Sequence, residues 1–411
     1  VKHRPAILLF AFAALLRCSD AEVPSKPKAL PPQNPELLHA RGPDDSADRA
    51  NLLNFAHGAV VVSRTGEASL ENSAACAIDG DPATAWLSPV DDPDQTLVFA
   101  LPARARIRSV GVQLGGEVFV HPKSVELALS ADGKTFTSVA SFSPPPKGTQ
   151  FNDTPPTEAR YVRFHTKGSN SQFVRAMSVF ARGELLEPAS PGPLDGCWSV
   201  NDLQASFAQR GASVTGAMEG KTPIAFEGGS DGRFYRLLWI RGPEYGVAAI
   251  SVTPDGRHLS GMFWHEEAYN RFLGTTWFGE KRPCASGADS SVDVMATYMQ
   301  RYGRFPLYGL QFDGEGRLIE PTSEAMLARL AAYLRSAGTM KIVAHELGLP
   351  DKARNQATSQ AKSDSVRAAL ARQGIDLSRV QLIAVGSDNP HRPASTDAAR
   401  SVYGAVELIK P

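Results

Sequence analysis

The hydrophobic pattern changes period once along this chain. As far as about residue 284, apolar residues alternate in steps of two or gather in short runs between Gly-bearing turns; after residue 292 stretches at helical spacing alternate with short apolar runs. Period two puts successive side chains on opposite faces of a strand, whereas a 3.6-residue period draws one stripe down a helix. A single all-helical or all-sheet layer cannot satisfy both. In Ser124-Val125-Glu126-Leu127-Ala128-Leu129-Ser130 the residues Val125, Leu127 and Leu129 share a face, and Ala131-Asp132-Gly133-Lys134 follows as a hairpin turn. Val110, Val112 and Leu114, then Val162 and Phe164, repeat the pattern. An antiparallel β-sandwich (jelly roll) is predicted for this part.

Proline-rich breaks divide the 411 residues further. Residues 22–50 carry Pro24, Pro27, Pro31, Pro32, Pro35 and Pro43, and residues 184–196 carry Pro188, Pro191 and Pro193, both compositions expected of spacers. A third linker is expected at 285–291. Between them lie bodies at 51–183, 197–284 and 292–411, roughly 130, 90 and 120 residues, as domain sizes require. The middle body holds Trp198, Trp239, Trp264 and Trp277 in short apolar runs, at 234–240, 245–252, 259–264 and 272–278. It reads as a small all-β meander or barrel whose tryptophans form its core, with a ligand cavity as the alternative. In the last body a strand is expected at 307–312. Pro321-Thr322-Ser323-Glu324 opens a helix with Met326, Leu330, Leu334 and Ala337 on one stripe, ended by Gly338. A strand at 340–344, a helix at 352–372 closed by Gly374, a strand at 380–384, a short helix at 396–401 and a strand through 406–409 complete a two-layer α/β fold.

Charge narrows the function. Forty-three Lys plus Arg balance 43 Asp plus Glu, so binding of nucleic acid through bulk positive charge is not expected. Four cysteines, at 18, 76, 197 and 284, are too scattered for paired-thiolate zinc ligation. Lys2, His3 and Arg4 precede a short apolar run at 5–16, the pattern of a secretory signal over residues 1–21. Two maturation routes stay open: cleavage after Ala21 behind Ser19-Asp20, or lipidation at Cys18 in the lipobox-like Leu15-Leu16-Arg17-Cys18. An exported chain meets oxidising conditions, and Cys197 and Cys284 at the edges of the middle body are expected to pair. Cys76, among Ala74, Ala75, Ala77 and Ile78, reads as a small buried hydrophobe.

Several stretches of the first body together resemble one family. They are Asn51-Leu52-Leu53, then Ala77-Ile78-Asp79-Gly80-Asp81-Pro82-Ala83-Thr84-Ala85-Trp86, Pro122-Lys123-Ser124-Val125-Glu126-Leu127 with Ser130-Ala131-Asp132-Gly133, and Ala159-Arg160-Tyr161-Val162-Arg163-Phe164. The body is similar to discoidin domains, the coagulation factor V/VIII C-type family. The resemblance implies a galactose-binding-like jelly roll that binds glycans or lipids through loops at one end. It also implies a calcium loop on Asp79, Asp81 and Thr84, hard oxygen ligands on a Gly-bearing turn, with Ser178 where a Glu often completes the shell. Trp86 is expected in the core.

The last body resembles the OmpA C-terminal domain, the peptidoglycan-binding module of Gram-negative envelopes. Phe312-Asp313, Asn355, Ser359, Val366, Gly374-Ile375-Asp376, Val385-Gly386-Ser387, Arg400 and Val406-Glu407-Leu408 carry the resemblance. It implies a clamp on the diaminopimelate of the peptide stem by an Asp in Gly-His-Thr-Asp and an Arg on the next helix. Here that motif reads Ala344-His345-Glu346-Leu347, and the Arg position is Lys362, which keeps charge without the bidentate fork. Losing a charge-assisted bond at Leu347 costs on the order of 1.5–3 kcal/mol, roughly ten- to a hundredfold in affinity. The pocket positions by match are therefore His345, Glu346, Leu347, Lys362 and Arg400.

Enzyme motifs are decoys by context. Gly228-Gly229-Ser230-Asp231-Gly232 spells a nucleophile elbow but leads into another strand instead of a helix. His345-Glu346 opens a zinc-protease pattern whose second His is Leu349. The sequence predicts an exported, non-enzymatic envelope protein binding a glycan and peptidoglycan, touching membrane only through a lipid anchor or envelope partners. The alternative is a structural envelope component using degenerate domains as protein-binding surfaces.

Overall fold

The computed structural model describes residues 51–80, 84–115, 120–144, 148–230, 232, 234–265, 275–284, 291–346, 351–387 and 406–411, apart from the side chains of Trp264 and Thr275. Cys18, Asp81, Leu347, Arg400 and the helix expected at 396–401 lie outside them. No helix among the described residues is long and apolar enough to cross a membrane.

The alternating first body forms strands β1 (Val60–Arg64), β2 (Trp86–Leu87), β3 (Thr96–Leu114), β4 (Pro122–Ser130), β5 (Thr137–Phe142), β6 (Gly148–Ser169), β7 (Arg175–Ala176) and β8 (Ser178–Leu185). The main sheet runs β1-β3-β6-β4-β5, with β8 also on β3, and β2 pairs β7. Two long strands turn corners: the β3–β6 register shifts between Ala100 and Ala105 and between Ile107 and Ser109. Pro102 sits in the first break, and Pro155 and Pro156 lie opposite the second. Proline lacks the ladder N–H, so a sheet bends there at least cost. Asn51 closes the body on itself: its Nδ2 donates to Val179 O at 3.2 Å, and its Oδ1 accepts from Ala181 N at 3.0 Å. The expected hairpin stands between β4 and β5, with Gly133 at φ 74°. Backbone amides of Thr135 and Lys134, and the Ser130 hydroxyl, hold the Asp132 carboxyl down to about 2.

The middle body is a closed barrel of β9 (Gly196–Val200), β10 (Leu203–Arg210), β11 (Ser213–Met218), β12 (Ile224–Ser230), β13 (Tyr235–Arg241), β14 (Glu244–Val252), β15 (His258–His265) and β16 (Thr275–Arg282), with β16 closing on β9. Asn201 and Asp202, at φ 45° and 67°, make the tight β9–β10 turn, whose twist suits a two-residue hairpin. Trp198, Trp239 and Trp277 are buried in the barrel interior with Phe207, Phe226 and Leu237. These three are core, as expected; the side chain of Trp264 lies outside the described residues. Cys197 and Cys284 are disulfide-bonded beside the closing seam, and Cys76 is free and buried. The elbow-like glycines belong to the β12–β13 hairpin, Ser230 ending one strand and Tyr235 starting the next.

The last body comprises α1 (Val294–Tyr302), β17 (Arg304–Pro306), α2 (Glu320–Ser336), β18 (Met340–Ala344), α3 (Lys352–Arg372), β19 (Val380–Ala384) and β20 (Val406–Ile409), with sheet order β17-β20-β18-β19. Two expectations need correction, and one helix was not expected at all. Helix α1 was not anticipated, although Asp293 caps its start, its Oδ1 accepting from Ala296 N at 2.8 Å, and Gly303 ends it at φ 68°. The strand expected at 307–312 lies at 304–306; Leu307, Tyr308 and Leu310 are apolar because they are buried in turns. Helix α2 ends at Ser336 with Ala337 already extended, so Gly338 is not its cap.

The expected spacer at 184–196 is also corrected. Leu185 ends β8, and Leu194 is fully buried with the barrel core. Tyr235 Oη donates to Gly192 O at 2.9 Å, and Trp198 Nε1 donates to Leu194 O at 2.8 Å. Prolines here shape a packed connection. The barrel wall meets both neighbours within one continuous core. Toward the sandwich, the Phe55 and Phe234 rings lie 6.0 Å apart and Val61 N donates to Ser260 Oγ at 3.1 Å. Toward the C-terminal body, Tyr298 Oη donates to Gly246 O at 2.6 Å and Ala212 N to Thr322 O at 2.7 Å.

Candidate ligand-binding sites

Strands β18 and β19 are parallel, so α3 must cross over between them. That topology gathers the carboxyl ends of two strands and the first turns of a helix at one edge, where α/β sheets bind ligands. Asp351 caps α3, its Oδ1 accepting from Ala353 N at 2.9 Å. Asn355, Ser359, Lys362 and Val366, at spacings of four, three and four, share a buried stripe. Three of these four residues are polar, which no packing requirement explains. The rim is knit by backbone: Glu346 N donates to Gly386 O at 3.0 Å, and Gly386 N to Ser359 Oγ at 2.9 Å. Gly386 has φ 54°, and a Cβ there would stand 3.1 Å from Gln356 N, so glycine suits the position.

At this edge the structure brings together three of the five expected pocket residues. Lys362 Nζ donates to Glu346 Oε2 at 2.7 Å and to His345 O at 3.0 Å, with the Phe312 ring 5.7 Å away. The Lys362 side chain is 8% exposed and that of Glu346 19%. A buried ammonium needs such partners, since an uncompensated charge would cost several kcal/mol, on the order of 3–5. Sequence reasoning placed both residues in the pocket but did not pair them.

In the sandwich, Asp79 is 3% exposed and accepts from Thr84 Oγ1 at 2.6 Å. Two of the three implied calcium ligands are thus adjacent. The described residues include no cluster of three His, Cys, Asp or Glu able to hold a metal, so no step is assigned to calcium. Trp86 is fully buried, its Nε1 donating to Gly66 O at 3.1 Å, as expected of core. His121, on the turn into β4, escaped notice in the sequence, where a lone His before Pro carries no signal. It is 3% exposed with neither ring nitrogen hydrogen-bonded, and burial pushes its pKa below the usual 6.5.

Comparison with known proteins places these features. Residues 61–179 match the F5/8 type C domain, and residues 311–404 match the OmpA family. Outer membrane porin F of Pseudomonas fluorescens is 27% identical over 100 residues, 24% of this chain and 31% of the porin, so the chain spans less than a third of that relative. Among solved structures, a putative chitobiase fragment of Bacteroides thetaiotaomicron is 19% identical, covering 32% of this chain and 91% of that one, at a TM-score of 0.30. A family 32 carbohydrate-binding module from a glycoside hydrolase of Clostridium perfringens is 18% identical, covering 34% of this chain and all of its own (100%), also at 0.30. The chain therefore carries an F5/8 type C, or discoidin, domain at residues 61–179 and an OmpA-family domain at residues 311–404.

Proposed function

We propose that this chain is an exported, envelope-associated binding protein of a Gram-negative cell that links carbohydrate to the cell wall. The discoidin domain meets a glycan through its loops, and the OmpA-family domain docks on or near peptidoglycan. The observation that carries this reading is the presence of both domains on one barrel that shares a core with each. Packing, not a flexible spacer, then sets the distance between the two sites. Two weak sites held at a fixed span reinforce each other when the ligands match that span, and not otherwise.

The test is retention of the full chain on purified sacculi and on a glycan array, the array run with and without chelator. Retention on both supports the proposal; background signal on both ends it. Loss of glycan binding on chelation would assign calcium to the Asp79 loop. Export is tested by mass spectrometry of the mature amino terminus, which separates cleavage after Ala21 from lipidation at Cys18.

One observation favours a second reading, in which the domains serve as protein-binding surfaces of an envelope assembly: Glu346 already neutralises Lys362. Leu347→Asp with Lys362→Arg separates the two. Sacculus binding created by that pair of changes indicates a degenerate pocket, and no change indicates a remodelled surface.

A further inference from the structure

The Lys362–Glu346 pair joins a group that faces inward from a helix to one that reaches in from the rim. Lys362 stands on the buried polar stripe of α3, its side chain 8% exposed. Glu346 is the second residue past the end of β18, at the carboxyl edge of the parallel pair, and is the more exposed partner. Its backbone is tied to Gly386, so only its side chain need move to leave the ammonium. The other acceptor of Lys362, the His345 carbonyl, belongs to the backbone and would stay.

We infer that Glu346 is an internal stand-in for a ligand carboxylate and sets what this site accepts. In the closed arrangement Lys362 is already satisfied, and an incoming carboxylate, such as that of an amino acid or a peptide stem, binds only after displacing the Glu346 side chain. An attached competitor acts at high effective concentration. If the closed form holds 90–99% of the population, apparent affinity falls about ten- to a hundredfold, because only the open fraction binds. The inference deepens the cell-wall reading of the C-terminal domain and rests on it for the identity of the ligand.

The experiment is titration of the full chain with free meso-diaminopimelate and with glutarate, which has two carboxylates and no ammonium, followed by NMR. Glu346→Gln should bind both at least about tenfold more tightly than the wild type, and Glu346→Gln with Lys362→Met should lose that gain. An affinity of Glu346→Gln no higher than wild type overturns the inference. Glu346→Asp, which keeps the charge on a side chain one methylene shorter, gives the same reading should Glu346→Gln fail to fold; it too must bind more tightly. Sacculus retention by the wild type with no gain in either variant sinks this inference alone. A gain for the free ligands with no variant retained on sacculi sinks the cell-wall reading alone.

Discussion

Glu227, on the outer wall of the barrel, is joined to Arg329 of α2 at 3.0 Å across the boundary between two sequence-defined bodies. Its second oxygen accepts from Met295 N at 3.0 Å, at the start of α1, so one carboxylate fastens two helices. The Glu227 side chain is 8% exposed and that of Arg329 32%, and Arg329 also meets Asp293. Glu227→Ala should therefore destabilise by about 1–3 kcal/mol, less than for a fully buried pair, because Arg329 keeps a second partner and some water. Arg317→Ala, which removes an exposed guanidinium from a half-exposed Asp313, serves as the control and should leave the urea midpoint nearly unchanged.

Phe55 and Phe234 are fully buried at the contact between sandwich and barrel. Phe234→Ala removes a large side chain from a shared core and should cost about 3–5 kcal/mol. Calorimetry should show one transition for the wild type and two for the variant, the sandwich melting apart from the barrel. An unsplit transition at an unchanged temperature would mean that the two bodies do not stabilise each other.

The Cys197–Cys284 bond closes a loop with a sequence separation of 87. By chain entropy such a loop is worth roughly 4–5 kcal/mol in the unfolded state. Reduction should lower the urea midpoint by an equivalent amount without opening the barrel, since β9 and β16 stay paired through their own ladder. Far-ultraviolet dichroism before and after reduction checks both halves of this expectation.

Acid should weaken the fold from near pH 6.5 downward. Burial lowers the pKa of His121, and of His258 despite the opposing pull of Asp255 and Glu280. Between the lowered folded value and the unfolded 6.5 the unfolded chain binds more protons, so unfolding gains as pH falls; above 6.5 neither state is charged and stability is level. His121→Leu should flatten part of the slope and leave stability at pH 8 equal or higher, because no hydrogen bond is lost. Urea midpoints from pH 8 to 5 measure this, and an unaltered slope would count against it.

Local signals suffice for some single elements and not for others. The bounds of β18, α3 and β19 agree with the sequence reading because alternation and the flanking Gly374 act within one or two turns. Helix α1 goes unread although Asp293 and Gly303 cap it and its buried Val294, Met295, Tyr298 and Met299 stand at helical spacing, because nine residues carry that stripe through little more than two turns. Residues 307–312 misled in the opposite sense: an apolar run reports burial, and burial there is supplied by turns packed into the shared core. For the candidate site, position was legible and partnership was not. Lys362 and Glu346 were each marked by resemblance, yet 16 residues separate them, and only the β18–α3 crossover sets their 2.7 Å contact.

By itself, then, the sequence determined that strands precede a mixed helix-and-strand region, from periodicity and turn chemistry, the pairing of Cys197 with Cys284, from their places and an export signal, and the two domain resemblances, from motif. Tertiary structure alone decided that residues 184–196 are packed, that the barrel shares a core with both neighbours, and that Lys362 spends its charge on Glu346. Burial and ion pairing depend on distances between segments remote in sequence, and no local pattern encodes which surface will exclude water from which.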